Sequence, residues 1–413
     1  MEALGVRLAL DPTASVTALA FVLGGVALGT ASGLTPGLHV NNLALLLASV
    51  APAVPGPPRL VGAAMLAAGV VHSFLDAVPA LALGVPDPAM AVSALPGHRL
   101  VIAGRGREAI RLSALGSGLA VAFAVPLAVP VTHAMTTAYP TVRAHLPIVL
   151  GAVTAFLLLT EGSVRGLVGG AAGFLGSAVL GYATLDLSPI APLDAGGMLT
   201  PLFAGLFGAP VLLEALSGSG VPEQDDPAIA FSRRAVGATA LAGAVAGAVV
   251  GYLPGVSSAI AAVLALAVVP GSTGARGFVV ATSGVNTSNT IFALFALAAL
   301  GAPRTGVMVA LREANAPVNL PLLLATAGLA GIVGFALVLV VGDRYLVTVG
   351  AVDNTRLSVG VLCLLVGVSW LFAGWVGVSV FAVATLVGSV PARFGARRVH
   401  LMGVLLGPLM VGA

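Results

Sequence analysis

The sequence has 413 residues, of which 58% are hydrophobic and only 8% charged, whereas soluble domains carry about 25% charged residues. This composition excludes a water-soluble globular protein and predicts a polytopic membrane protein. All eighteen basic residues are Arg, the formal net charge is +3, and the Arg residues are scattered among short loops, so they indicate membrane orientation and not a nucleic-acid partner.

Breakers and charged residues divide the chain into apolar segments. Because about 20 apolar residues make one helical span, the chain holds roughly 10–14 membrane segments. The runs do not alternate as barrel strands do, so we predict an all-α, multi-pass protein of the cell (cytoplasmic) membrane. The segments lie near 14–33, 38–54, 61–83, 112–132, 147–160, 164–184, 196–213, 235–253, 256–270, 278–300, 318–341, 358–374, 375–391 and 400–413.

Two local features have plain structural interpretations. Cys363, the single cysteine, lies in an apolar run, and we expect a buried structural thiol. Glu161 and Arg165 flank a short turn, where we expect them to pair.

An internal repeat is visible at an offset of 218 residues. Both halves read GxxxGxxxGxxPG, and LGVP (83–86) recurs as LGAP (300–303) at an offset of 217. The repeat predicts an internal duplication. We divide the chain into a first membrane repeat (1–216), a polar cytoplasmic linker (217–234) and a second membrane repeat (235–413).

The two repeats are predicted to have inverted topology, because seven segments, an odd number, separate corresponding positions. Four Arg in 97–111, Arg233 and Arg234 in the linker, and three Arg in 392–398 then all lie on the cytoplasmic side, as the positive-inside rule requires. The connection near 185–195 is then predicted to lie on the opposite, outer side of the membrane.

Pro-Gly breaks follow a glycine-spaced helix in each half. The spaced glycines favour a packing seam between helices. Pro and Gly instead stop the helix, and broken segments at corresponding positions of two halves are typical of a transporter binding site. The helix that starts after each break presents unpaired N–H groups, which suit an anion.

Residues at the breaks form the predicted substrate site. Asn at membrane depth is usually functional, whereas each Ser can equally be a helix cap. An Arg beside the repeated LGAP element can hold a carboxylate bidentately or extend to lipid head groups. The predicted substrate-binding residues are Thr35, Pro36, Gly37, His39, Asn41, Asn42, Pro254, Gly255, Ser257, Ser258 and Arg304.

A second polar cluster, TSGVNTSNT (282–290), interrupts an apolar segment. Its amides and hydroxyls suit Na⁺ or a carboxylate, or they hold helices together. In the first half His72 and Asp76 are four residues apart on one helix face. This spacing suits either a proton or cation site or a pair that satisfy each other's hydrogen bonds. The predicted cation-coupling residues are His72, Asp76, Asn286, Thr287, Ser288, Asn289 and Thr290.

Motifs for other chemistry are missing from the sequence. It has no P-loop, no GxSxG, no HExxH and no dinucleotide fingerprint. We therefore predict no enzyme, no catalytic residues, no metal site and no cofactor beyond Na⁺ or H⁺ as a coupling ion. A passive channel with selectivity from the broken-helix backbone is the alternative.

GLTPGLHVNN (33–42) and GYLPGVSSAI (251–260), with LGVP and LGAP downstream, resemble the large permease subunit of tripartite tricarboxylate transporters (TctA-like), in particular its stand-alone archaeal-type branch. The resemblance covers about residues 14–341. It implies a cation-coupled secondary transporter for carboxylates, whose bacterial members work with a small membrane subunit and a substrate-binding protein.

This chain departs from that family in two ways. It is shorter than bacterial members, and its first break carries His39, Asn41 and Asn42 where many relatives have small residues. We therefore do not carry over a need for the small subunit or the binding protein, and a homo-oligomer stays open. We predict a secondary transporter for a small di- or tricarboxylate-like organic anion, working by alternating access in contact with membrane lipid.

Overall fold

The computed structural model describes residues 2–3, 6–7, 11–36, 38–84, 94–193, 197–216, 221–225, 228–253, 256, 258–268 and 274–412. The described chain is nearly all helical, apart from an antiparallel pair of two-residue strands, β1 (Glu2–Ala3) and β2 (Val6–Arg7). Among the described residues, eight helices are long and apolar enough to cross a membrane. The prediction of an all-α, multi-pass membrane protein is therefore confirmed.

The helices of the first half end before the polar linker. Pro at the first turn starts several of them, where its missing N–H costs nothing. In chain order they are α1 (Pro12–Gly33), α2 (Val40–Val50) with a 3₁₀ turn (Ala51–Ala53), α3 (Pro58–Leu75), α4 (Ala77–Leu83), α5 (Ala94–Ile102), α6 (Gly106–Ala144), α7 (Leu146–Leu159), α8 (Val164–Thr184), α9 (Leu199–Phe203), a π turn (Ala204–Gly208) and α10 (Ala209–Ala215).

The helices of the second half start with the Arg pair that closes the linker. They are α11 (Arg233–Tyr252), α12 (Ser258–Val268), α13 (Gly274–Leu300), α14 (Gly306–Glu313), α15 (Leu320–Ala351), α16 (Asn354–Gly388), α17 (Val390–Phe394), a 3₁₀ turn (Arg398–Met402) and α18 (Gly403–Val411).

Several helix bounds differ from the hydropathy prediction. Helix α6 runs well beyond the predicted 112–132 and holds three prolines in its interior. Helices α5 and α14 were not predicted, because both are short and carry Arg. The predicted segments 358–374 and 375–391 belong to one long helix, α16, kinked at Ala373 and Gly374, where Gly374 has a φ of 58°. The kink lies at the predicted boundary.

Each glycine series packs one helix closely against another. On α1, a Cβ at Gly25 or Gly29 would collide with the backbone of Ala64 or Ala68 on α3. On α11, a Cβ at Gly243 would lie 2.7 Å from the Ala281 carbonyl oxygen on α13. The packing role of these glycines is confirmed. Similar seams in both halves are what a duplicated sequence leads us to expect, and the division into repeats stays a prediction.

The polar linker packs against the loop between α5 and α6. The Asp225 N–H donates to the Gly104 carbonyl at 2.8 Å, and the Gly106 N–H donates to Gln224 Oε1 at 2.6 Å. Beneath the linker, the fully buried Glu108 accepts from the Ala230 N–H at 2.7 Å and forms ion pairs with Arg105 and Arg276. Two loops predicted to be cytoplasmic thus lie on the same end of the molecule.

Two predictions about single residues were wrong. Cys363 is exposed, because it lies on the outer face of α16. Glu161 binds Arg397 and His400, at 2.8 and 2.7 Å, while Arg165 donates to the backbone carbonyl of Arg393. Sequence proximity suggested the short-range pair, but the turn after α7 packs on the distant 392–400 segment.

Candidate functional site

One cavity of about 170 Å³ lies where the helices that follow both Pro-Gly breaks meet α13 and α14. It is smaller than the roughly 300–1,000 Å³ pockets of drug-sized ligands, so it suits a small molecule. Its lining residues are His39, Val40, Asn41, Ser73, Phe203, Val250, Leu253, Val256, Ser258, Asn286, Asn289, Thr290, Arg304, Thr305, Val307, Met402 and Leu405.

His39 caps the helix that follows the first break. Its Nδ1 accepts the Asn41 N–H at 2.9 Å, so in the neutral ring the proton sits on Nε2. The ring stacks on Phe203, with centroids 5.9 Å apart. Phe203 ends α9 and is followed by a π turn, an irregularity that is frequent at functional sites. The imidazole is therefore held in one orientation at the cavity wall.

Asn41 connects the first break to the segment after LGAP. Its Oδ1 accepts the backbone N–H of Gly306 at 2.9 Å. Helix α14 begins at Gly306, and its N-cap residue Thr305 makes no side-chain capping bond. Asn41 on α2 thus provides a hydrogen-bond acceptor for one of the backbone N–H groups that the first turn of α14 leaves without a partner inside the helix.

Arg304 lies at the cavity wall against Tyr139, near the end of α6. Its guanidinium carbon is 4.9 Å from the Tyr139 ring centroid, and Nη2 donates to the Tyr139 hydroxyl. The buried Arg304 Nε and Thr305 Oγ1 have no hydrogen-bond partner among the described residues, and no described carboxylate forms a salt bridge with Arg304. A positive charge and a hydroxyl therefore remain available to a ligand.

The polar cluster on α13 divides between two faces of the helix. Asn286, Asn289 and Thr290 line the cavity, as residues three and four apart do. Ser283 instead binds Ser113 on α6 at 2.8 Å, and Ser288 contacts the Ala244 carbonyl on α11 at 3.4 Å. One face of the cluster meets the cavity, and the other holds helices together.

His72 and Asp76 lie behind the cavity wall. The Ser32 hydroxyl lies 2.9 Å from His72 Nδ1. Asn286 donates through Nδ2 to Asp76 Oδ2 at 2.7 Å. Both side chains are almost fully buried, at 0% and 4% exposed. Asn286 therefore contacts the cavity and a buried carboxylate at once.

The cavity brings together some of the predicted site residues and not others. Those that line it are His39, Asn41, Ser258, Arg304, Asn286, Asn289 and Thr290. Those that lie elsewhere are Thr35, which bonds the Ala31 carbonyl, Pro36, Asn42, His72, Asp76, Thr287 and Ser288. Gly37, Pro254, Gly255 and Ser257 lie outside the described residues. The roles assigned to all of these residues stay predictions.

The sequence prediction missed several residues of the wall. Phe203 and Met402 come from apolar segments, where no local pattern separates a cavity wall from a helix core. Thr305 follows Arg304 directly, so proximity to a charged residue at a break was an available signal. Tyr139 contacts Arg304 from 165 positions away, and only the tertiary structure reveals that contact.

Residues 19–403 match the sequence model of the tripartite tricarboxylate transporter TctA family. A curated protein of Methanocaldococcus jannaschii, described only as uncharacterized, is 27% identical over 404 residues, covering 95% of this chain and 98% of that protein. No solved structure shows a significant match. Because the family match extends over nearly the whole chain, this multi-pass membrane protein belongs to the tripartite tricarboxylate transporter TctA family.

Proposed function

We propose that this chain is a secondary active transporter of the cell membrane that moves a small organic anion of the di- or tricarboxylate type by alternating access. The single observation that carries the proposal is that residues following both Pro-Gly breaks, His39, Asn41 and Ser258, line one cavity together with Arg304. Broken helices that meet at one site are typical of secondary transporters.

The chemistry of the wall supports an anionic substrate. Helices α2, α12 and α14 begin at residues on or beside the wall, and the N-terminal end of a helix carries a partial positive charge. Arg304 adds a full charge with a planar donor set that matches a carboxylate. Uncharged amides and hydroxyls from α13 complete the polar part of the wall.

Cation coupling through Asp76 is part of the proposal. The carboxylate of Asp76 bonds Asn286, which also lines the cavity, so a Na⁺ or H⁺ that binds Asp76 changes the hydrogen bonding of a wall residue. Buried ionisable residues in membrane helices commonly mark such ion pathways. Asp76→Asn removes the carboxylate charge and is expected to uncouple uptake from the ion gradient.

The test is uptake of a radiolabelled dicarboxylate or tricarboxylate by proteoliposomes that contain this chain alone. A transporter accumulates substrate above equilibrium when a Na⁺ or pH gradient is imposed, and Asp76→Asn abolishes the accumulation. A passive channel equilibrates the substrate without accumulation, which would favour the alternative. Uptake by the chain alone would also mean that no small subunit or binding protein is required.

A further inference from the structure

Tyr139, near the end of α6, does not line the cavity but contacts Arg304, which does. We propose that Tyr139 is a positioning residue for substrate binding, which holds the Arg304 guanidinium in the orientation that meets a substrate carboxylate. The inference rests on the proposed function and deepens it. It adds to the site a residue from the first half of the chain that acts through another residue and does not touch the substrate.

Arg304 needs a contact of this kind because it lies on an irregular segment. Residues 301–305 join α13 to α14 without helical structure, so a regular helix backbone does not fix the direction of this side chain. Arginine has a long side chain with many rotamers, and ordering such a side chain during binding reduces affinity. A contact that orders the guanidinium before the substrate arrives avoids that loss.

Tyr139 contacts the guanidinium in two ways. The Arg304 guanidinium carbon lies over the tyrosine ring, 4.9 Å from its centroid, within the distance of about 6 Å at which a ring face attracts a cation. Arg304 Nη2 also donates a hydrogen bond to the Tyr139 hydroxyl. The ring contact alone leaves the planar group free to turn, whereas the hydrogen bond fixes which nitrogen faces the tyrosine. Together the two contacts define the orientation of the donor set.

A tyrosine orients the guanidinium without neutralising its charge. An Asp or Glu in the same place would form an ion pair and reduce the attraction for an anionic substrate. Within the part of the chain that the structure describes, Arg304 forms no salt bridge with a carboxylate, and its buried Nε has no hydrogen-bond partner there. The positive charge and a donor therefore stay available at the cavity wall.

Tyr139 is presented by a helix face that is itself anchored. Two turns earlier on α6, the Thr132 hydroxyl lies 2.5 Å from the hydroxyl of Tyr252, the fully buried last residue of α11. Residues seven apart lie on nearly the same face of a helix. Ala128, also fully buried, belongs to the same apolar cluster as Tyr252. The end of α6 thus packs on the second half of the bundle and provides a fixed base for the tyrosine.

The experiment measures binding to the purified full-length protein by isothermal titration. The probes are succinate, a dicarboxylate, and citrate, a tricarboxylate. Tyr139→Phe removes the hydroxyl and keeps the ring, and Tyr139→Leu removes both. For the acid that the wild type binds more tightly, we expect Tyr139→Phe to weaken binding by about threefold and Tyr139→Leu by about tenfold.

A double-mutant cycle with Arg304→Gln separates positioning from a purely structural role. If Tyr139 acts only through the guanidinium, Tyr139→Phe changes binding by less than about 1.5-fold when Arg304 is already replaced. Loss of packing would instead weaken binding by the same factor with or without Arg304, and that result would overturn the proposal. Tighter binding by Tyr139→Phe would also overturn it, because the tyrosine would then compete with the substrate for Arg304.

Ser113→Ala is the matched control. It removes a hydroxyl contact of the same helix, 2.8 Å to Ser283 on α13, between two buried residues that do not line the cavity. We expect its affinity to stay within about 1.5-fold of wild type, whatever its melting temperature. If Arg304→Gln does not fold or binds too weakly to measure, this comparison decides: equal weakening of binding by Ser113→Ala and Tyr139→Phe would overturn the positioning role.

Failure of the inference and failure of the proposed function give different results. If the wild type binds and accumulates either acid but the effects of Tyr139→Phe and Arg304→Gln are additive, the transporter stands and the role of Tyr139 is wrong. If the wild type binds neither acid and takes up neither, the proposed function is wrong and the positioning role is overturned with it.

Discussion

The Asn41 side chain accepts a hydrogen bond from the backbone N–H of Gly306, a residue 265 positions later in the chain. Asn41 follows the first Pro-Gly break, and Gly306 begins the helix after the LGAP element. The contact joins two breaks that belong to different halves of the sequence. It also places Arg304 and Thr305 against the same cavity as His39, so the position of α14 is part of the site.

Gly306→Ala is expected to disturb this contact. A Cβ at position 306 would lie 2.6 Å from both the Cα and the Oδ1 of Asn41, so α14 must move away from α2. We expect a loss of about 1–3 kcal/mol in the free energy of unfolding, together with reduced uptake. Gly328→Ala on α15 meets nothing within 4 Å and serves as the control. Equal melting temperatures for both variants would contradict the prediction.

Gly24 and Gly25 offer a matched pair for the seam between α1 and α3. A Cβ at Gly25 would collide with the Ala64 carbonyl oxygen, whereas a Cβ at Gly24 meets nothing within 4 Å. We expect Gly25→Ala to lower the melting temperature in detergent, at a cost of about 1–3 kcal/mol. Gly24→Ala is expected to be neutral or stabilising by about 0.5–1 kcal/mol, because Ala favours a helix over Gly. A lower melting temperature for Gly24→Ala than for Gly25→Ala would contradict the close packing of α1 against α3.

The buried Glu108 is expected to contribute more to stability than the half-exposed Asp343. Glu108 has a fully buried side chain and binds two Arg residues and the linker backbone. Asp343 forms a bidentate pair with Arg111, with side chains 29% and 26% exposed. Leaving buried charges unpaired costs about 3–5 kcal/mol and exposed pairs contribute about 0–1 kcal/mol, so the partly exposed Asp343 pair is expected to cost less than the Glu108 pairs, whose carboxylate is fully buried.

Thermal melting of Glu108→Gln and Asp343→Asn measures this difference. Glu108→Gln should also release the linker, because the Ala230 N–H loses its charged acceptor. Limited proteolysis of the linker in the two variants reports that release, and similar cleavage rates in both would argue against the role assigned to Glu108.

We expect the stability of the protein to depend on pH through Glu161, which lies in the loop between α7 and α8. Burial raises the pKa of Glu161, but hydrogen bonds from Arg397 and His400 outweigh that effect and hold the pKa below its ordinary value. A depressed carboxyl pKa adds stability above the unfolded-state pKa, about 4.3 for Glu, and that stability is lost as the pH falls through the folded-state pKa.

Melting temperatures measured between pH 7 and pH 3 test this. The wild-type protein should lose stability below about pH 4. Glu161→Gln should have a free energy of unfolding about 1–3 kcal/mol lower than wild type at pH 7, and its melting temperature should fall less as the pH is lowered. Glu223→Gln in the linker, an exposed position, is the control and should retain the wild-type decrease. Parallel curves for wild type and Glu161→Gln would contradict the assignment.

Much of the fold was predictable because membrane helices are specified locally. The lipid core requires long apolar runs with internally satisfied backbone, so α1, α8, α11 and α13 lie close to their predicted ranges. Helices α5 and α14 were missed because short helices with Arg resemble loops. The predicted range of α6 was too short, because hydropathy does not show that a helix continues beyond its apolar run.

The sequence by itself determined the membrane class, the two Pro-Gly breaks, the glycine seams and the polar residues available for a site. These depend on composition, spacing and backbone chemistry, which are local. Only the tertiary structure decided that Asn286, Asn289 and Thr290 contact the cavity while Ser283 and Ser288 contact helices. It also decided that Asn41 binds Gly306 and that Tyr139 holds Arg304, because the sequence does not encode locally which distant surfaces pack together.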